Sequence, residues 1–401
     1  MRILLQYRFW IIGSIVVCAA IVGSLAFFTR AQATDIPALV AACEKQGAQT
    51  QQCLNDLVLA QAHDRGIGAG FDALAAAYAH DAEFAAFCHG STHELGKIAY
   101  ADFKVGKDIE LSSKTSYCGF GFFHGFMESL LQDSGTIDEA RKFCAYVDDK
   151  LKASVGGVTF ACYHGMGHGV IDGSDTSLWG DSKRFIQPGL DLCEKLGSTD
   201  MEKNWCGSGV FNAFAIHVRD PKYKLNIDPL DAYAICRAQT KSYFKIACYD
   251  QMNSYFVEST ADFGEALRAS ARSAAKDPGA VPHAVESVAG YEVLRVLQST
   301  RPAADYLKDC AALSGELADS CTRGFANGLV EFGKPGAEYD VALPMCAVAG
   351  AQMMACAEGI ATAVRDRLSP AIQQKLCSDM AHSLGDTFGT RCREIMVPSP
   401  Q

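Results

Sequence analysis

Five histidines of this 401-residue chain have types and spacing that suit metal chemistry. CHGSTHELG places His89 and His93 four apart, CYHGMGHG places His164 and His168 four apart, and His124 stands four before Glu128. Residues at i and i+4 share one face of a helix. Two such imidazoles can hold one transition-metal ion from adjacent turns, with a third histidine or a carboxylate from a neighbouring helix completing the site. The expected ligands are therefore His89, His93, His124, His164 and His168. Glu128 and Asp172 are the expected proton acceptors of a metal-dependent reaction. Copper, zinc and iron all accept imidazole, so ligand type does not choose among them. His63, His80, His283 and His382 lack such spacing and read as solvated or capping residues.

The elements that must position these histidines are announced by the cysteines. Of seventeen, Cys18 lies in an apolar N-terminal run and sixteen are spread along the rest. An even number in an exported chain reads as a disulfide framework. Close neighbours predict sequential pairing: 43/53, 144/162, 193/206, 236/248, 310/321, 346/356 and 377/392, with the more distant Cys88 and Cys118 left as the eighth pair. No CxxC occurs, so thioredoxin-like redox chemistry has no support.

Aligned on the second cysteine of each pair, CGFGFFHGFME, CYHGMGHGVID, CGSGVFNAFAI, CTRGFANGLVE and CAEGIATAVRD form an internal repeat. A glycine recurs at the third residue after the cysteine and a glycine or alanine at the seventh. These small residues are four apart on one helical face, where a neighbouring helix can approach closely. The sixth position is His124, His168, Asn212, Ser254, Asn327 or Thr362, and the tenth is usually a carboxylate. The first cysteines of CEKQG, CEKLG, CAALSG and CAVAG are followed by glycine, as at a helix C-terminus. Each unit therefore reads as a helix, a glycine-containing turn and a second helix, stapled by a disulfide.

The fold expected is all-α: disulfide-stapled helix-hairpin repeats forming a solenoid-like array. Residues 1–33 are expected to be a signal peptide or N-terminal membrane anchor, 34–275 a His-rich and Cys-rich helical repeat region, and 276–401 a second Cys-rich helical repeat region, separated near KDPGAVPH. The run from Phe9 to Phe28 carries no charge and is long enough to span a bilayer, favouring an anchor and an extracytoplasmic chain. A net charge of −10 supplies no cationic surface for phosphate, so nucleic acid is not an expected partner.

Two classes of function follow. One is an exported metal-binding protein or metalloenzyme built on the histidines. The other is a periplasmic scaffold that binds an envelope protein or glycan, or serves as an accessory subunit of a membrane complex. In that second reading the residues at the sixth position only hydrogen-bond one repeat to the next.

Overall fold

The computed structural model describes residues 35–397 except 134, 135 and 172. The apolar N-terminal run, Cys18 and Asp172 lie outside the described residues. Among those described, the elements are α- and 3₁₀-helices with no strand, in agreement with the all-α expectation.

Nine helices form the inner wall of the molecule: α1 (Cys88–Lys104), α2 (Gly121–Gln132), α3 (Val158–Val170), α4 (Asp200–His217), α5 (Ser242–Gln251), α6 (Asn253–Ser259), α7 (Val281–Tyr291), α8 (Glu316–Glu331) and α9 (Met353–Arg367). They pack in chain order, α1 on α2, α2 on α3, α3 on α4 and onward to α9, with α5 and α6 together bridging α4 to α7. The register shows their direction. Gly121 sits against the His89 carbonyl and Gly125 against that of His93; Gly165 faces Phe123 and Gly169 faces Met127; Gly324 faces Glu286 and Gly328 faces Gly290. Contact partners rise together along both chains, so these neighbours run parallel.

Parallel neighbours require a returning segment outside the wall. Ile137–Leu151, Ser182–Leu196, Phe263–Ala274 and Ala303–Ala311 are such helices. Their starts are locally encoded. Thr136 with Glu139 forms a reciprocal capping box at the first, and Asp181 accepts from the Lys183 and Arg184 amides at the second; wall helix α4 opens with the same kind of box, Thr199 with Glu202.

The repeat glycines do what their spacing predicts. A methyl group on Gly125, Gly209, Gly324, Gly328 or Gly359 would collide with a backbone carbonyl of the preceding wall helix. Three glycines within α3 would weaken an isolated helix by roughly 1 kcal/mol each. Every residue from Ala161 to Gly169 is buried, so packing on both sides compensates.

All eight predicted cysteine pairs are joined, Cys88 to Cys118 included. The position of the staple varies more than the hairpin plan implies. Cys43 and Cys346 stand at helix ends, whereas Cys144 and Cys377 lie mid-helix and Cys88 begins its helix. The glycine turns hold at Gly47, Gly315 and Gly350, where φ is +59°, +56° and +59°.

The wall curves until distant parts meet. Gly119, before α2, packs beside Phe332 and Glu331 at the end of α8; Gly157, before α3, packs beside the Asp366 carbonyl of α9; and the Tyr78 hydroxyl donates to the Phe332 carbonyl. The concave side is a cavity of about 1050 Å³ to which all nine helices contribute. Its lining includes His124, His168, Asn212 and Asn327 from the sixth repeat position and Glu331 and Asp366 from the tenth. The polar repeat residues thus face inwards.

Candidate metal centre

All five predicted histidines converge on one side of this cavity. His89 and His93 project from α1, His124 from α2, and His164 and His168 from α3. The close parallel packing of these helices makes the convergence possible, because glycine at the seams leaves no side chain to hold the imidazoles apart. His124, His164 and His168 are only 5–6% exposed, while His89 and His93 are partly buried.

Three nitrogens form the tightest group. His93 Nε2 lies 3.2 Å from His89 Nε2 and 3.1 Å from His124 Nδ1. Ligands bound tetrahedrally at imidazole–metal distances lie about 3.3 Å apart. The rings of this group are inclined to one another at 59°, 69° and 85°, so their edges rather than their faces meet.

Hydrogen bonds fix two tautomers. A carbonyl only accepts, so His89 Nδ1 donates to the Cys118 carbonyl at 2.7 Å and a neutral His89 keeps a lone pair on Nε2. The Ser208 hydroxyl donates to the Trp205 carbonyl at 2.6 Å, so Ser208 accepts from His164 Nδ1, also at 2.6 Å. His164 Nε2 is thereby left as a lone pair. Such outer contacts are what a metal-ligating histidine uses to set its ring orientation.

Electrostatics keep His89, His124, His164 and His168 neutral. Burial, reinforced by neighbouring imidazoles, lowers His124 and His164 well below the usual imidazole value. Burial and His93 bring His89 down to about 3. Burial outweighs the nearby Glu128 charge at His168 and takes it to about 4. A neutral imidazole is the form that binds metal.

Glu128 stands across the group, 3.8 Å from Nδ1 of His93 and 3.8 Å from Nδ1 of His168. Burial pushes its carboxyl up, but hydrogen bonding and charge from His93, with the charges of His168 and Lys97, leave it below the usual carboxylate range. It is ionised at neutral pH and is placed as a proton acceptor beside the histidines. Asp172, the other predicted acid, lies outside the described residues.

His164 and His168 form a second set with His124. Their arrangement differs, for His124 stacks on His164 at 29° and on His168 at 22°. His168 Nε2 is buried and makes no close hydrogen bond.

Sequence reasoning missed a second polar row. The residue two after the repeat cysteine is Phe120 in the first copy and then His164, Ser208, Asp250, Arg323 and Glu358; of these polar residues His164 and Asp250 line the cavity. These are joined along the wall: His164 to Ser208, Asp250 to His283, Arg323 to Glu286 at 2.9 Å, and Arg323 to Glu358 at 3.8 Å. His283, expected to be solvated or capping, is exposed and lines the cavity, and its hydrogen bond to Asp250 outweighs burial and raises its pKa. The signal available was the register itself, since the second and sixth positions are four apart on one helix face.

The eight disulfides fit an oxidising extracytoplasmic compartment. Among the described residues no helix is long and apolar enough to cross a membrane. The chain matches no protein-family model, no curated protein and no solved structure.

Proposed function

We propose that this is an exported transition-metal protein, and that an ion held by His89, His93 and His124 acts on a small molecule admitted to the central cavity. The N-terminal apolar run would tether it to the membrane, with the stapled repeats forming a closed array on the oxidising side. The observation that carries the reading is the approach of His89 Nε2 and His124 Nδ1 to within 3.1–3.2 Å of His93 Nε2. A structural hydrogen-bond network explains it poorly. With a lone pair fixed on His89 Nε2, a proton on His93 Nε2 can serve His89 or His124, and the other approach lacks a shared proton. An ion satisfies all three nitrogens together.

Three protein ligands leave an open coordination position, the arrangement of catalytic rather than structural sites. A bound ion would polarise a substrate or lower the pKa of bound water, and Glu128 would take the proton. Copper, zinc and iron remain the candidates.

The test is elemental analysis of the full chain purified without an affinity tag, beside His89→Ala/His93→Ala. The expected result is at least one equivalent of metal per wild-type chain and one equivalent fewer in a variant of unchanged helicity. No metal in the wild type, even after incubation with copper, zinc and ferrous ions in turn, overturns the reading and favours the alternative of an envelope-binding scaffold.

A further inference from the structure

We propose that the histidine cluster holds two ions, with His124 as their common ligand; this deepens the metal-binding reading above and rests on it. The five histidines fall into two sets, His89/His93/His124 and His124/His164/His168, with the candidate ligand atoms of each set within 4.8 Å of one another. The ligand atoms of all five do not fall within that spacing as one group, and the two sets meet only at His124. His93 and His168, one from each set, stand farther apart, with ring centres at 6.5 Å, than the rings within either set. We therefore assign the five to two positions, with His124 the residue both contain.

The atoms available agree with that division. His124 Nδ1 belongs to the first set through its 3.1 Å approach to His93, which leaves Nε2 for the second. His164 gives Nδ1 to Ser208 and keeps Nε2. His168 contributes an Nε2 that is buried and makes no close hydrogen bond, with Asn212 a polar neighbour of the ring, in a residue only 6% exposed. Desolvating such an atom without a hydrogen bond is costly, and a metal bond would remove the cost. Glu128 joins the two halves, with one oxygen towards His93 and the other towards His168.

An ion lies in the plane of the imidazole that binds it, whereas His124 stacks on His164 and His168. Filling the second position therefore turns His164 and His168 about χ2, a broad torsion for histidine. To serve both positions His124 would give up its remaining ring proton to solvent and act as a shared imidazolate ligand.

The full chain, stripped by chelation and titrated with copper(II), tests this. The expected result is two equivalents per chain, with an electron paramagnetic resonance intensity below that of two isolated ions because the bridge couples their spins. His164→Ala/His168→Ala should bind one equivalent and show the full intensity of one isolated ion. One equivalent in the wild type overturns the proposal, as do two that give full uncoupled intensity or two that the variant retains. If the variant loses helicity, the stoichiometry and intensity of the wild type decide. No binding of copper, zinc or ferrous ion removes both proposals, whereas a single equivalent removes only this one.

Discussion

His93 Nε2 lies 3.1 Å from His124 Nδ1 across the seam between two parallel helices. The two residues are thirty-one apart in sequence, and they meet because Gly125, beside His124, presses directly on the His93 backbone. The residue that permits helix packing and the residues that could hold an ion occupy the same turn. Widening the seam would therefore disturb the site before it disturbed the rest of the fold.

Two glycine substitutions separate these effects. A methyl group on Gly125 meets the His93 carbonyl and Cα, and backbone cannot move aside as a flexible side chain can. Gly125→Ala should destabilise the protein by about 3 kcal/mol, the upper end of overpacking costs, and weaken metal binding. Gly90 lies in the facing helix α1, which carries His89 and His93, with nothing within 4 Å of the position its methyl group would take. Gly90→Ala should gain up to about 1 kcal/mol through helix propensity. Urea denaturation of both variants reads the two signs.

That contrast shows what the sequence makes legible. The third and seventh repeat positions are small for a steric reason that spacing alone exposes, so the close helix seams could be read in advance at Gly125 and Gly209. Seven cysteine pairs could also be read, because each closes a short stretch of chain, and Cys88–Cys118 followed as the pair that remained. The curvature could not. Contact between Gly119 and Phe332 depends on small rotations accumulated over many helices, and no single residue encodes it. The pairing of His283 with Asp250 is hidden for the same reason, since the two lie in different helices and only the curved wall brings both to the cavity. The polar row containing Ser208 and Asp250 was visible in the register but overshadowed by the histidines.

The Cys88–Cys118 disulfide should have a larger effect than its neighbours. It closes a separation of 30 residues, against 10 for Cys43–Cys53. Chain entropy gives about 3.7 kcal/mol for the former and about 2.8 kcal/mol for the latter. The longer bridge also holds the Cys118 carbonyl that accepts from His89. Cys88→Ala/Cys118→Ala should lower the denaturation midpoint more than Cys43→Ala/Cys53→Ala and reduce metal affinity, which the second pair should leave unchanged.

Ser208 offers a milder probe of the histidine cluster. Its hydroxyl accepts from His164 Nδ1 and donates to the Trp205 carbonyl, so it sets the His164 tautomer without approaching an ion itself. Loss of such an outer contact commonly lowers metal affinity 10–100-fold. Ser208→Ala should fall in that range for the second ion and keep the first, as followed by copper titration. Ser208→Thr, which retains the hydroxyl, should restore much of the affinity if its added methyl group is accommodated.

Glu292 predicts how stability varies with pH. Its side chain is fully buried, and neither carboxylate oxygen makes a hydrogen bond, although Arg295 Nη1 lies 3.2 Å from Oε1. Burial, only partly opposed by Arg295, pushes its pKa from 4.5 up to about 7. The folded chain therefore holds this proton more tightly than the unfolded chain. The stabilisation is complete below pH 4.5 and is lost as pH rises through 7, amounting to roughly 3 kcal/mol at the alkaline end. Arg295 also donates to the Val257 and Thr260 carbonyls, so ionised Glu292 stays beside an arginine already engaged at the end of α6. Glu292→Gln removes the titrating group while keeping its shape. Between pH 5 and 8 the wild-type denaturation midpoint should fall more steeply than that of Glu292→Gln. Parallel slopes for the two proteins would show that Glu292 carries no such proton.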